Sequence, residues 1–195
     1  MGRTKSFDKA EALDKALQLF HSKGYEAVSM QDLVDTLGIS RSSIYDTFED
    51  KANLFLLALH TYRKRMADKS LNQLRDQPNS PKAIRNFFSQ TLQEICDDPD
   101  RPGCFILNTM SDISRESIPT VSELLVDNKN EFIDVISQKI QQGQESGHIN
   151  AKLIPVDAAH MIYWLYAGLV MGSRIEEEPE RLQYALSVGL SILNP

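Results

Sequence analysis

The chain has 195 residues, 42% of them hydrophobic and 25% charged, with a net charge of −6 and two cysteines. This is the composition of a folded globular protein with room for one large or two small cores, and it excludes a disordered or fibrous chain. The longest nearly apolar run, Ala158 to Ser173, is interrupted by His160 and falls short of the roughly 20 residues of a bilayer-spanning helix, so no membrane partner is expected.

The first six residues lack the apolar stretch of a secretory signal. They fit a loose acylation pattern at Gly2 and Ser6, while Arg3 and Lys5 equally suit an arm on a DNA backbone or a plain tail. Without a secretory segment, Cys96 and Cys104 place the chain in a reducing cytoplasm, where no structural disulfide is expected. From Met1 to Arg65, ten Lys or Arg stand against nine Asp or Glu, and the remainder carries eleven against eighteen. A near-neutral head therefore precedes an acidic body.

A first helix is predicted after Asp8, a plausible cap, with Leu13, Ala16, Leu17 and Phe20 on one face and Gly24 as its stop. Ser29 and Asp32 have capping-box spacing, and Met30, Leu33, Val34 and Leu37 form the apolar face of a second helix that Gly38 ends. Ser40 caps a third, whose inward residues are Ile44 and Phe48. Asp50 caps a fourth, running with Leu54, Leu57, Ala58, Tyr62 and Met66 to about Leu74. A break at residues 77–81 precedes a helix marked by Ile84, Phe87, Phe88, Leu92 and Ile95, and an acidic loop follows at residues 97–103. A short helix near Cys104 to Ser111 and helices opened by Pro119, Pro155 and Pro179 complete the chain. With no period-two alternation, the fold class predicted is all-α, with about nine helices.

Residues 29–48 carry the chemistry. Two short helices joined around a glycine turn can lay the second in a major groove if its inner face is apolar and its outer face small and polar. Ile44 and Phe48 supply the first condition; Ser42, Ser43 and Thr47 supply the second. Arg41 suits guanine or phosphate, although a solvated helix face is the plain alternative. Lys51 adds a cation to a positive helix end, as phosphate requires, and Ser29 does similar work at the second helix. Asp46 repels phosphate and must accept from cytosine or point aside.

The head resembles the TetR family of bacterial transcriptional regulators. The likeness runs from Ala12 to Leu57 and rests on Phe20 with Gly24 and Tyr25, Ser29 with Met30 and Leu33, Leu37 to Ser40, Ile44 with Tyr45 and Phe48, and Lys51 with Leu54. Val34 and Leu37 stand where the family commonly has Ala, and Ser42 where it often has Gly. The resemblance implies a helix-turn-helix DNA-binding domain over residues 1–52 and a helical effector-binding and dimerisation domain over 53–195. It implies DNA contacts from Ser29, Met30, Ser40, Arg41, Ser42, Ser43, Tyr45, Thr47 and Lys51. It further implies a homodimer through the last two helices on a palindromic operator of double-stranded DNA, with a small-molecule effector and no cofactor.

In the body, Gly168 and Gly172 make a small-residue stripe on a helix that is apolar nearly all round, and with Met171, Leu186 and Leu190 they form the expected dimer interface. Phe87, Phe88, Phe105, Met110, Phe132, Tyr163, Trp164 and Tyr166 are candidates for an apolar pocket, and each is also an ordinary core residue by its spacing. Cys96 and Cys104 offer a thiol-responsive alternative, although Asp97, Asp98 and Asp100 between them disfavour the thiolate. Asp98, Asp100 and Gly103 have calcium-loop spacing, but Pro102 and Thr109 occupy positions that need a ligand oxygen and a bidentate Glu. His21, His60, His148 and His160 are scattered, and no nucleophile elbow, phosphate loop or metal motif accompanies them, so an enzyme is not expected and a transcriptional regulator, most simply a repressor, is.

Overall fold

The computed structural model describes residues 7–77, 81–99, 102–113 and 117–195. Gly2, Arg3, Lys5 and Ser6, residues 78–80 of the expected break, and Asp100 and Arg101 of the acidic loop lie outside them. The described residues form helices and connecting turns, with no strand among them.

The head is built from α1 (Lys9–Lys23), α2 (Met30–Leu37) and α3 (Arg41–Phe48). Each starts on the side chain anticipated for it. Asp8 accepts from the Ala10 amide at 2.7 Å, Ser29 from Asp32 at 3.1 Å and Ser40 from Ser43 at 3.2 Å. These bonds satisfy amide groups that a helix N-terminus leaves without partners. Gly38 ends α2 in the left-handed region at φ 67°, which lets the chain turn at once into α3. Ile44 and Phe48, both fully buried, press α3 onto Leu33 and Phe20. Each such side chain contributes about 1.5–3 kcal/mol.

α4 (Lys51–Met66) leaves the head from its cap Asp50, which accepts from Asn53 at 2.7 Å. The sequence predicts one unbroken helix to Leu74. Instead, a π segment (Ala67–Leu71) interrupts it before α5 (Asn72–Asp76). The reason lies in the spacing of the apolar residues. Continuing the Tyr62 and Met66 face at helical period would bring in Ser70 and Gln73, whereas Leu71 and Leu74 are the apolar residues available. One extra residue in the π turn shifts the register, and Leu71 and Leu74 are buried.

The body consists of α6 (Pro81–Asp97), α7 (Phe105–Asp112), α8 (Pro119–Glu145), α9 (Pro155–Gly172) and α10 (Pro179–Gly189), closed by a 3-10 turn (Leu190–Leu193). One apolar cluster joins α5, α6, α8, α9 and α10. The other unites the head with Phe105, Ile106 and Ile113 of the α7 region and with Val121, Leu124 and Leu125 of α8. Head and body are therefore packed through α4 and α7 rather than strung on a linker.

Candidate functional site

The outer face of the head carries the side chains expected to meet DNA. Tyr45 is 42% exposed, and the Arg41 guanidinium lies over its ring at 5.9 Å, one turn away on α3. The Ser40 hydroxyl sits 2.9 Å from those of both Ser42 and Ser43, so the three serines share one hydrogen-bonded cluster at the start of α3. At the start of α4, the Lys51 ammonium rests over the Tyr25 ring at 4.2 Å, within cation–π range. Tyr25 in turn packs on Phe20 and Phe55. Sequence reasoning gave Tyr25 no role; its signal was its place beside Gly24 among the residues that carry the resemblance.

Three expected contacts are differently placed. The Ser29 amide and hydroxyl both donate to Asp32, whose carboxyl these bonds and that from Lys23 hold well below the usual carboxylate range. Ser29 is thus committed to holding α2. Met30 is half-buried against the head core. The Thr47 hydroxyl is buried with no hydrogen-bond partner, turned away from solvent.

Within the body, Tyr62, Met66, Leu71, Phe87, Phe132, Tyr163 and Tyr166 line an almost wholly apolar cavity together with Cys104. Of the aromatic candidates, Phe87, Phe132, Tyr163 and Tyr166 are at its wall. Phe88 is buried in the body core and Phe105 in the cluster shared with the head; neither lines the cavity. Met110 lies behind the wall, its sulfur accepting from the Tyr163 hydroxyl at 3.5 Å. Trp164 points outward, 54% exposed. Tyr62 and Met66 stand on the apolar face assigned to the linker helix, which the sequence alone does not mark as a cavity wall. Burial raises the Tyr163 hydroxyl to about 12 and holds those of Tyr62 and Tyr166 well above the ordinary phenol value, so the phenols stay neutral. Burial also pushes the Cys104 thiol up, against a reactive thiolate.

Residues 12–58 match the family model for bacterial regulatory proteins of the tetR family, and residues 81–188 that for the tetracyclin repressor-like C-terminal domain. The chain belongs to the TetR family. Over 198 aligned residues it is 29% identical to YezE, an HTH-type transcriptional regulator of Bacillus subtilis, covering 100% of both chains. To ComR, an HTH-type transcriptional repressor of Escherichia coli, it is 36% identical over 117 residues, 60% of this chain and 56% of ComR. In fold it is similar to CifR, a TetR family regulator solved with 26-bp operator DNA, at a TM-score of 0.86 and 23% identity over 98% of this chain and 100% of that one. This TetR-family chain is a DNA-binding transcriptional regulator and not an enzyme. No helix among its described residues is long and apolar enough to cross a membrane.

This TetR-family chain also leaves one apolar face of its body unpartnered. Met161, Trp164, Gly168, Met171 and Ile175 alternate three and four residues apart, which aligns them in one stripe along α9 and just beyond it. All five are exposed, as are Tyr184 and Val188 on α10. Of the five residues expected at a dimer interface, Gly168 and Met171 lie on this stripe. Gly172 is half-buried at the edge of the stripe, where an added methyl group would lie 3.6 Å from Leu182. Leu186 and Leu190 are each 1% exposed and belong to the protomer's own core.

Proposed function

We propose that the chain is a cytoplasmic repressor that binds a palindromic operator as a homodimer and lets go when a small apolar effector fills the cavity between α4 and α9. The observation that carries the reading is the outer face of α3, where Arg41, Ser42 and Tyr45 stand exposed on a helix capped by Ser40, with Lys51 opening the capped α4 that follows. Lys51 and the positive end of its helix suit a phosphate, while the short serines allow close approach to base edges. ComR, BdcR and DhaR are named repressors, which supports the sign of the effect.

The domain division follows the same reading, with DNA recognition over residues 1–52 and effector binding and dimerisation over 53–195. The exposed stripe of α9 and α10 is the pairing face, since two copies related by a twofold axis would cover it and present two heads to two half-sites. The cavity wall includes Tyr62 and Met66 of the helix that carries the head, so an effector there acts directly on the element that sets head spacing. A gel-shift titration of the protein on its own promoter region tests the reading. Tyr45→Ala and Lys51→Ala are each expected to weaken the complex while sedimentation still shows a dimer, and unchanged affinity for both overturns the assignment of this face.

A further inference from the structure

The cavity between α4 and α9 is too small by itself for a metabolite-sized effector. Its volume is about 70 Å³, less than half of the roughly 150 Å³ in which a protein interior accommodates benzene. A second cavity of about 170 Å³ lies directly beside it, between α1, α6 and the residues leading into α7. Tyr62, Met66, Thr91, Cys104 and Tyr166 wall both. This partition is soft. Met66 is unbranched and changes rotamer at low cost. The Thr91 hydroxyl already donates to the Phe87 carbonyl at 2.8 Å, so displacing Met66 strands no polar group there.

The far wall of the second cavity belongs to the DNA-reading head. There His21 of α1 meets the Gly103 carbonyl, Nε2 to oxygen 3.0 Å, with its ring against Tyr62 and Phe105 at 5.5 and 5.3 Å. Gly103 and Cys104 line this cavity, and Cys104, Ile106 and Leu107 line the first. One short segment thus borders both cavities and holds the head.

We infer that the two cavities are chambers of a single elongated effector site, ending at the His21–Gly103 contact, that takes a long uncharged apolar molecule with a hydrogen-bond donor at its tip. The inference rests on reading the first cavity as the effector site. The tip donates to the Gly103 carbonyl in place of His21 and so detaches α1 from the body. Most of the wall is apolar, and the Arg63 guanidinium on the first chamber's wall is already held by Glu131 at 3.0 Å, so a charge buried there would lack a partner and be costly. The carboxylates of Glu94 and Asp98 on the second chamber's wall further oppose an anionic end. Glu94 is already held by Lys69 at 2.8 Å, which leaves it little to offer a cation.

The test uses 4-hydroxybiphenyl as the probe and biphenyl-4-carboxylate as its anionic counterpart, with the full-length protein in a calorimetric titration. One 4-hydroxybiphenyl is expected per chain, with the carboxylate at least tenfold weaker. Ile95 walls the second chamber and not the first, so Ile95→Trp is expected to cost at least tenfold in affinity. In the wild-type protein, which needs no substitution, the imidazole signals of His21 are expected to shift in NMR spectra at saturation. Binding with Ile95→Trp unaffected, or with His21 unmoved, overturns the two-chamber site and leaves an effector in the first cavity standing. Equal binding of the two biphenyls, or binding of neither, overturns the ligand class. Neither result bears on DNA recognition, which Tyr45→Ala and Lys51→Ala test separately.

Discussion

Arg63 and Arg75 stand on the same side of one helical rod, each donating to a different oxygen of Glu131, at 3.0 and 3.1 Å. An uninterrupted α-helix would turn residues twelve apart by about 120° relative to each other, whereas one extra residue in the π turn reduces this to about 20°. The π segment is what brings both guanidinium groups to one carboxylate. Deleting Lys69 leaves Arg63 and Arg75 eleven residues apart, which a regular helix turns by about 20°, so the deletion is expected to keep Arg75 and Leu74 in place, whereas inserting an Ala after Lys69 should turn both away. The loss of Leu74 burial in the insertion variant alone should cost about 2–4 kcal/mol in urea unfolding, with the deletion variant close to the wild type. Equal destabilisation of the two variants would mean that the π turn does not set the register.

The same carboxylate gives a pH signature. Burial pushes the Glu131 carboxyl up, but the hydrogen bonds from Arg63 and Arg75 outweigh it and hold it below the ordinary range. The stabilisation is therefore complete above the ordinary glutamate value of about 4.3 and fades as pH falls through the lower folded value. The difference in urea midpoint between the wild type and Glu131→Gln is expected to be widest near neutral pH and to close in acid. A difference that persists undiminished in acid would show that the ion pairs are not its source.

On the body, the division between exposed and buried residues separates association from stability. Gly168→Arg, on the open stripe with no neighbour around the added side chain, is expected to turn a sedimenting dimer into a monomer without lowering the monomer's intrinsic stability. Trp164→Asp should do the same. Leu186→Ala instead empties a core position and should cost about 2–5 kcal/mol in unfolding while leaving pairing intact. The reverse pattern would place the pairing face elsewhere.

How much of this was legible in the sequence depends on the length scale of the signal. The head was legible because its caps, its glycine turn and its apolar pair Ile44 and Phe48 are local, and local spacing fixes them. The π turn was also legible in principle, since Tyr62, Met66, Leu71 and Leu74 carry one residue too many for a helical face. The orientation of Trp164 was not, because α9 is apolar on nearly every side and periodicity then cannot choose the inward face. The cavity wall was read only in part, since it gathers residues from five helices and depends on how they pack.

Lys51 illustrates a positioning role that only packing reveals. Its ammonium lies 4.2 Å from the centre of the Tyr25 ring, at the end of α4 where a phosphate is expected. Tyr25→Leu keeps an apolar side chain there but removes the π face, an interaction worth about 0.5–1 kcal/mol at exposed sites. Operator affinity is expected to fall about two- to fivefold on that scale, with the slope of affinity against salt unchanged because the cation remains. Lys51→Ala should instead lower that slope by about one. Identical salt slopes in the two variants would argue that Lys51 meets no phosphate.

Thr47 separates the two roles that a small polar residue on a recognition helix can play. Its hydroxyl is buried and unpartnered on α3, flanking the inward Ile44 and about 160° around the helix from the open Tyr45. A buried polar group without a partner costs about 1–3 kcal/mol. Thr47→Val keeps the shape and removes that group, so the unliganded protein should gain about 1 kcal/mol in urea unfolding. If the hydroxyl stays inward on DNA, operator affinity is unchanged in the same variant. A loss of affinity, with or without the gain in stability, would show that the side chain turns outward to meet the groove and that free α3 holds Thr47 in a waiting rotamer.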